Sequence, residues 1–138
     1  MSALLELSGI SASYGSVQAL FDVSFSLHEG KVLALMGRNG MGKTTTIRCI
    51  SRLMSHRGGT IRFHGKDISG LNAPRVARLG LGLVPEGRRC FAPLTVAENL
   101  TVAARPGPWD MRRVVALFPR LGERMGQVSR TLSGGEQQ

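Results

Sequence analysis

The sequence is poor in cysteine and has no long hydrophobic run. Its 138 residues include two cysteines, Cys49 and Cys90, which lie far apart with no C-x-x-C pattern. We expect both to be reduced thiols, buried like small hydrophobic side chains. The three histidines have no ligand spacing, so no metal site of the histidine–cysteine kind is indicated. The longest apolar stretch, residues 32–36, is far shorter than the roughly 18 residues of a membrane span, which excludes a spanning helix here.

Acidic and aromatic residues are also scarce. Nine acidic side chains face 18 basic ones, giving a net charge of +9, and there is one Trp and one Tyr. The arginines are scattered, and pairs such as Arg88/Arg89 and Arg112/Arg113 are not interleaved with aromatic side chains as in many nucleic-acid binders. The net charge therefore favours a basic surface that binds a nucleotide. A surface that binds nucleic acid is the alternative that stays open.

Local patterns predict mixed strands in the first part of the chain. Alternating apolar residues over residues 23–27, followed by a glycine turn, predict a half-buried strand in an antiparallel edge hairpin. The stretch at residues 31–36, which is continuously apolar after Lys31, is typical of a parallel strand covered on both faces. Apolar residues at helical spacing predict a helix over residues 43–54, and alternation over residues 59–65 predicts a short strand.

Helix signals dominate the later part. Asn72 as N-cap and Gly80 as stop bound a short helix, and an apolar strand should follow and end at Pro85. Thr95 and Glu98 form a capping-box pattern, and a further helix with an apolar face should start after Asp110. The order predicts an α/β fold with a helical insert, in one domain over residues 1–138.

The stretch "MGRNGMGKTTT" fits the pattern G-x-x-x-x-G-K-[ST] completely. Its glycines allow the backbone N–H groups to surround phosphate oxygens, and the helix that follows adds its positive end. Lys43 should reach the β and γ phosphates, while the Thr44 hydroxyl should bind Mg²⁺. The predicted contacts to the nucleotide are Gly37, Arg38, Asn39, Gly40, Gly42, Lys43, Thr44 and Thr45.

A second motif, "LSGGE", lies near the end of the sequence. Ser133 and Gly135 at a helix start would offer a hydroxyl and N–H groups to a phosphate, and Ser133 with Glu136 also forms an ordinary S-x-x-E capping box. This run resembles the signature motif of ATP-binding-cassette (ABC) proteins. The resemblance extends over residues 4–138 and implies a P-loop ATPase core, an antiparallel β subdomain and the start of a helical subdomain, that is, the N-terminal part of one nucleotide-binding domain.

The resemblance also implies roles for single residues. Tyr14 is placed like the aromatic residue that stacks on adenine in this family, and Ser133, Gly134 and Gly135 would contact ATP bound to a second subunit. Most ABC proteins have a glutamine where this chain has Glu86. Glu86 is therefore a candidate catalytic residue and a possible Mg²⁺ contact, at the position where the family's neutral amide contacts Mg²⁺ and the attacking water.

Longer stretches of sequence indicate which branch of the ABC family the chain resembles. "VPEGRR", "FAPLTVAENL" and "LFPRLGERM" resemble ATP-binding subunits of branched-chain amino-acid importers, and urea or amide importers have a similar layout. The implied partners are a second ATP-binding subunit, identical or not, and membrane permease subunits, with a periplasmic or extracellular substrate-binding protein acting indirectly. The implied location is the cytoplasmic face of the membrane.

The family's strand with the Mg²⁺-linked aspartate, its catalytic glutamate and its sensing histidine have no counterpart in residues 1–138. We therefore expect these residues by themselves to bind ATP weakly at most, without sustained turnover, and to be marginally stable. Two alternatives stay open: a catalytically inactive nucleotide-binding fragment, and a non-transport ABC ATPase acting on nucleic acid.

Overall fold

The computed structural model describes residues 3–138, which form two compact units. The first unit ends at Leu83, and the second comprises Val84–Gln138. The named strands all belong to the first unit, and the second is built of short helices and turns. Within the described residues, no helix is long and apolar enough to cross a membrane.

A four-stranded antiparallel sheet organises the first unit. Its strands are β1 (Leu5–Tyr14), β2 (Val17–Leu27), β3 (Gly58–Phe63) and β4 (Lys66–Asp67), in the order β2-β1-β3-β4. β1 is central: Leu5 pairs with Leu27 on one side and Phe63 on the other. The predicted edge hairpin and the strand at residues 59–65 are therefore confirmed.

One face of the sheet is covered by the helices α1 (Lys43–Ile50) and α2 (Ala73–Arg78). In β1 the buried side chains alternate at Leu5 and Leu7, and then at Ile10 and Ala12. The spacing of three between Leu7 and Ile10 breaks the period of two, and a β-bulge there returns the apolar side chains to the covered face. The core also contains Leu20, Cys49, Ile50, Ile61, Phe63, Ile68 and Val76.

Two of the predicted helices in this unit form, one of them shorter than expected. Asn72 caps α2, its side chain accepting from the N–H of Arg75, as predicted. Helix α1 ends at Ile50 instead of residue 54. Arg52 takes a left-handed conformation (φ 58°) and donates from Nε to the carbonyl of Leu71 at 3.1 Å, so the chain leaves the helix axis there.

The parallel strand predicted at residues 31–36 and the apolar strand predicted at residues 81–85 do not form, so these predictions are wrong for this structure. Among the described residues no strand pairs with either segment. Val32 is 98% exposed and Val84 is 81% exposed. An apolar segment becomes a buried strand only when neighbouring strands satisfy its backbone groups, and that partner is not found in the described part of the chain.

The second unit contains short helices and a 3₁₀ turn at Ser129–Thr131. The helices are α3 (Val96–Thr101), α4 (Met111–Leu117), α5 (Pro119–Gly122) and α6 (Gly134–Gln137). The predicted capping box of Thr95 and Glu98 opens α3, and Asp110 caps α4. The side-chain amide of Asn99 ties the unit together, donating to the carbonyl of Phe91 and to Ser129 Oγ.

The cysteines differ from each other. Cys49 is free and fully buried in α1, as expected, and burial raises the pKa of its thiol. Cys90 is free but only half-buried, so the expectation of burial is wrong for this residue.

β1 and β3 approach closely at an irregularity in their pairing between Ser8 and Ser11, which leaves no room for a side chain on Gly59. Its φ is +83°, and an added Cβ would lie 2.5 Å from the carbonyl oxygen of Gly9 and nearer still to that of Ser8. We predict that Gly59→Ala lowers the free energy of unfolding by about 1–3 kcal/mol, because the strain and the backbone clash act together. Urea denaturation followed by circular dichroism measures this.

Gly70→Ala is the matched control, because an added Cβ there meets nothing within 4 Å. It should change the free energy of unfolding by about 0.5 kcal/mol or less. Equal losses in the two variants would contradict the account of the bulge.

Candidate functional site

The glycine-rich loop enters α1 at Gly42, which sits directly against β2. Gly42 is the N-cap of α1 in a left-handed conformation (φ 85°) and makes no side-chain cap. A Cβ on Gly42 would lie 2.5 Å from Leu20 Cδ2 and 2.9 Å from the carbonyl oxygen of Ala19. Only glycine fits here, because both the backbone conformation and the available space exclude a side chain.

The first turn of α1 presents unpaired backbone donors. The first intrahelical bond runs from the N–H of Thr46 to the carbonyl of Gly42, at 2.8 Å. The N–H groups of Lys43, Thr44 and Thr45 therefore have no acceptor within the helix. The first turn contains no acidic residue that would occupy them. A helix start of this kind attracts anions, since its dipole is positive at this end.

The Lys43 side chain lies over the loop. Its Nζ donates to the carbonyl oxygens of Gly37, at 2.5 Å, and Arg38, at 2.9 Å. The ammonium group is thus held inside the curve of the loop, next to the donors of the first turn. A phosphate entering this curve would meet the lysine charge and the helix N–H groups together.

The three threonines at the start of α1 have different surroundings. Thr46 Oγ1 donates back to the carbonyl of Gly42 at 2.9 Å, and Thr45 Oγ1 lies 3.4 Å from the Tyr14 hydroxyl. Thr44 is exposed, and its hydroxyl makes no hydrogen bond to any residue the structure describes. Thr44 is therefore the threonine whose hydroxyl can bind an external group, which is the position the motif predicts for Mg²⁺.

Tyr14 ends β1 beside this helix, so the structure brings Tyr14 and the loop helix together. The residue is 47% exposed, and its hydroxyl contacts Thr45 and accepts from Arg48 Nη1 at 3.3 Å. The hydrogen bond shared with Thr45 and the one donated by Arg48 lower the pKa of the Tyr14 phenol below its usual value. Sequence reasoning missed Arg48, although its spacing of three from Thr45 places both on one face of α1.

The other predicted site residues belong to the second unit. Glu86 is exposed, and its carboxylate makes no contact to a described residue, while its backbone carbonyl accepts from Arg89 Nε at 3.4 Å. Arg88 has a left-handed backbone (φ 54°) and lies against Gly134, where an added Cβ would collide with its guanidinium group. No sequence signal indicated this contact between Arg88 and the LSGGE run.

The LSGGE run forms the predicted capping box at the start of α6. Ser133 Oγ donates to Glu136 Oε2 at 2.7 Å, and the N–H of Ser133 donates to the same oxygen at 2.9 Å. These bonds lower the pKa of Glu136, with Arg124 as a weaker contributor through its ion pair at 3.3 Å. The Ser133 hydroxyl therefore already donates its proton to a hydrogen bond with Glu136 in this structure.

The described part of the chain includes no group of three or more His, Cys, Asp or Glu side chains that could hold a metal ion. Binding of Mg²⁺ would therefore depend on the Thr44 hydroxyl together with oxygens of a bound phosphate, a donor set that suits a hard cation.

The capping box of α6 gives a testable pH dependence. Because the folded-state pKa of Glu136 is lowered, the box stabilises α6 above the ordinary glutamate pKa and is lost as the pH falls through the lowered value. We predict that Ser133→Ala moves the pKa of Glu136 up towards its ordinary value, as measured by carboxyl ¹³C NMR titration.

Glu98 is the internal control in the same titration. Its pKa is lowered by its own bonds to Thr95 and should not change in the Ser133→Ala variant. An unshifted pKa for Glu136 in the original chain would contradict the capping box.

Comparison with known proteins adds independent information. The sequence model of the ABC transporter family matches residues 20–138. The high-affinity branched-chain amino acid transport ATP-binding protein BraG of Pseudomonas aeruginosa is 40% identical over 140 residues, covering 98% of this chain and 60% of BraG. The galactofuranose transporter ATP-binding protein YtfR of Escherichia coli K12 is 32% identical over 129 residues, covering 94% of this chain and 26% of YtfR.

The fold has solved relatives as well. The structure of an ATP-binding subunit of an ABC transporter superimposes with a TM-score of 0.82 at 33% identity, covering 97% of this chain and 58% of that one. The chain thus spans about three fifths of the length of BraG and of this solved subunit.

Proposed function

Because the chain belongs to the ABC transporter family, we propose that it binds Mg-ATP at residues 37–45 and forms part of an ATP-hydrolysing subunit that energises import. One observation carries the proposal: a curved glycine loop holds the Lys43 ammonium beside the unpaired N–H groups of the first turn of α1. This combination of fixed backbone donors and one mobile cation suits a triphosphate.

The chain's own residues have separate tasks in this proposal. Lys43 exchanges its bonds to the carbonyls of Gly37 and Arg38 for bonds to the β and γ phosphates. The loop residues Arg38, Asn39, Gly40 and Gly42 supply the curved backbone around the phosphate chain. The Thr44 hydroxyl would hold Mg²⁺, which neutralises charge on the phosphates when bound. Tyr14 offers its exposed ring face to the adenine base.

Hydrolysis requires further groups in this proposal. Glu86 is the candidate for orienting the attacking water or contacting Mg²⁺, as a carboxylate in place of the family's usual amide. Gly134 and Gly135 would donate N–H groups to ATP held by a second subunit. Ser133 would add its hydroxyl only after releasing Glu136 Oε2, to which it donates at 2.7 Å.

The proposed cargo is branched-chain amino acids. The support is the 40% identity to BraG over 98% of this chain. The proposed assembly pairs this chain with a second ATP-binding subunit on membrane permease subunits, with a substrate-binding protein acting through the permease. Such a subunit would lie peripherally on the cytoplasmic face of the membrane.

Lys43→Ala tests the nucleotide site. We predict that it weakens Mg-ATP binding by roughly 10- to 100-fold, because charge-assisted hydrogen bonds contribute about 1.5–3 kcal/mol. Isothermal titration calorimetry on the 138-residue chain measures this. Lys66→Ala removes the same charge from β4 and should leave the affinity unchanged. Absence of ATP binding to the original chain at millimolar Mg-ATP, or equal affinity in all three proteins, would overturn the proposed function.

A further inference from the structure

The Tyr14 hydroxyl is attached to α1 at two points. It lies 3.4 Å from Thr45 Oγ1 and accepts from Arg48 Nη1 at 3.3 Å. Thr45 is in the first turn of α1 and Arg48 is one turn further along. The side chain at the end of β1 is therefore joined to the same helix whose first turn belongs to the phosphate loop.

The backbone next to Tyr14 is held as well. Arg57 Nη2 donates to the carbonyl of Gly15 at 2.8 Å, and the N–H of Arg57 donates to the carbonyl of Ser11 at 2.7 Å. Tyr14 also pairs with Val17 across the hairpin. With its backbone fixed by these contacts, the remaining freedom of Tyr14 lies in its side-chain torsions, which the hydroxyl contacts restrict.

We propose that Arg48 is a positioning residue for the nucleotide base: by holding the Tyr14 hydroxyl, it fixes the ring that stacks on the base. This inference rests on the proposed ATP site and deepens it. Arg48 acts through Tyr14 and not on the phosphates. A ring fixed before binding loses less conformational entropy when the base stacks, so affinity for the base part of the nucleotide increases.

The surroundings of Arg48 support an indirect role. Its guanidinium donates to the phenol oxygen, whereas the phosphate donors are the N–H groups of the first turn and Lys43. The hydroxyl is bonded and the residue is 47% exposed, so part of the side chain remains accessible to a ligand. The hydrogen bond shared with Thr45 and the one donated by Arg48 also lower the pKa of the phenol, as expected for hydrogen bonds that favour its charged form.

Two ligands distinguish an effect of Arg48 on binding of the base from an effect on binding of the phosphates. Mg-ATP carries both, and inorganic tripolyphosphate with Mg²⁺ carries phosphates only. We expect Arg48→Gln to weaken Mg-ATP binding by roughly three- to tenfold, and tripolyphosphate binding by less than about twofold. Arg75→Gln removes an arginine charge from α2, and we expect no change for either ligand. Calorimetry on the 138-residue chain gives both affinities.

Equal losses for the two ligands in Arg48→Gln would assign Arg48 to the phosphates and overturn this inference alone. No loss for either ligand would also overturn it. Failure of the original chain to bind either ligand would overturn the proposed function, and this inference with it. Binding of tripolyphosphate but not of ATP would overturn the claim that the base stacks on Tyr14, and this inference with it. The claim that the loop binds phosphates would stand.

A double-mutant cycle tests whether Arg48 acts through the Tyr14 hydroxyl. Tyr14→Phe keeps the ring and removes the oxygen that Arg48 holds. In the Tyr14→Phe background, Arg48→Gln should cause no further loss of ATP affinity. Additive losses would mean that Arg48 contacts the nucleotide by another route, and would overturn the positioning role.

The phenol itself provides a spectroscopic measurement, because Tyr14 is the one tyrosine of the sequence. Phenolate absorbance as a function of pH reports its pKa with no other tyrosine contributing. We expect the pKa to rise in Arg48→Gln, to stay close to the original in Arg48→Lys, and to be unchanged in Arg75→Gln. An unchanged pKa in Arg48→Gln would show that the contact is not formed in solution, and would overturn the inference.

Discussion

The close approach of α1 to β2 at Gly42 is the constraint on which the candidate site depends. No side chain fits between the helix start and Leu20, so the first turn of α1 is held against the sheet. Leu20 pairs with Ala12 across the hairpin, and the same strand β1 ends at Tyr14. The hairpin register therefore places Tyr14 beside α1, and the helix in turn fixes where the glycine-rich loop ends. The proposed base platform and the proposed phosphate donors thus depend on the same packing contact.

Features encoded by a few neighbouring residues could be predicted from the sequence. The glycine loop, the two capping boxes and the Asn72 cap all depend on side chains within about four positions of each other, and all form. The hairpin strand at residues 23–27 was equally clear, since its alternation is local. The family resemblance carried by the loop and LSGGE is matched by the family comparison over residues 20–138.

The errors concern contacts between distant parts of the chain. Residues 31–36 and 81–85 have strand composition, but a strand needs a neighbour, and none of the described residues supplies one. The early end of α1 coincides with the left-handed conformation of Arg52, whose side chain bonds to Leu71, a contact that no helical pattern reveals. The contacts of Arg48 with Tyr14 and of Arg88 with Gly134 were missed for the same reason, since each joins separate segments.

The most direct test of the central claim is an amide ¹H–¹⁵N NMR titration of the chain with Mg-ATP. The account predicts the largest shift changes at the N–H groups of Gly40, Gly42, Lys43, Thr44 and Thr45, with a smaller change at Tyr14. Shifts confined to the second unit, or no shifts at millimolar Mg-ATP, would contradict the claim that the first turn of α1 and its loop form the nucleotide site.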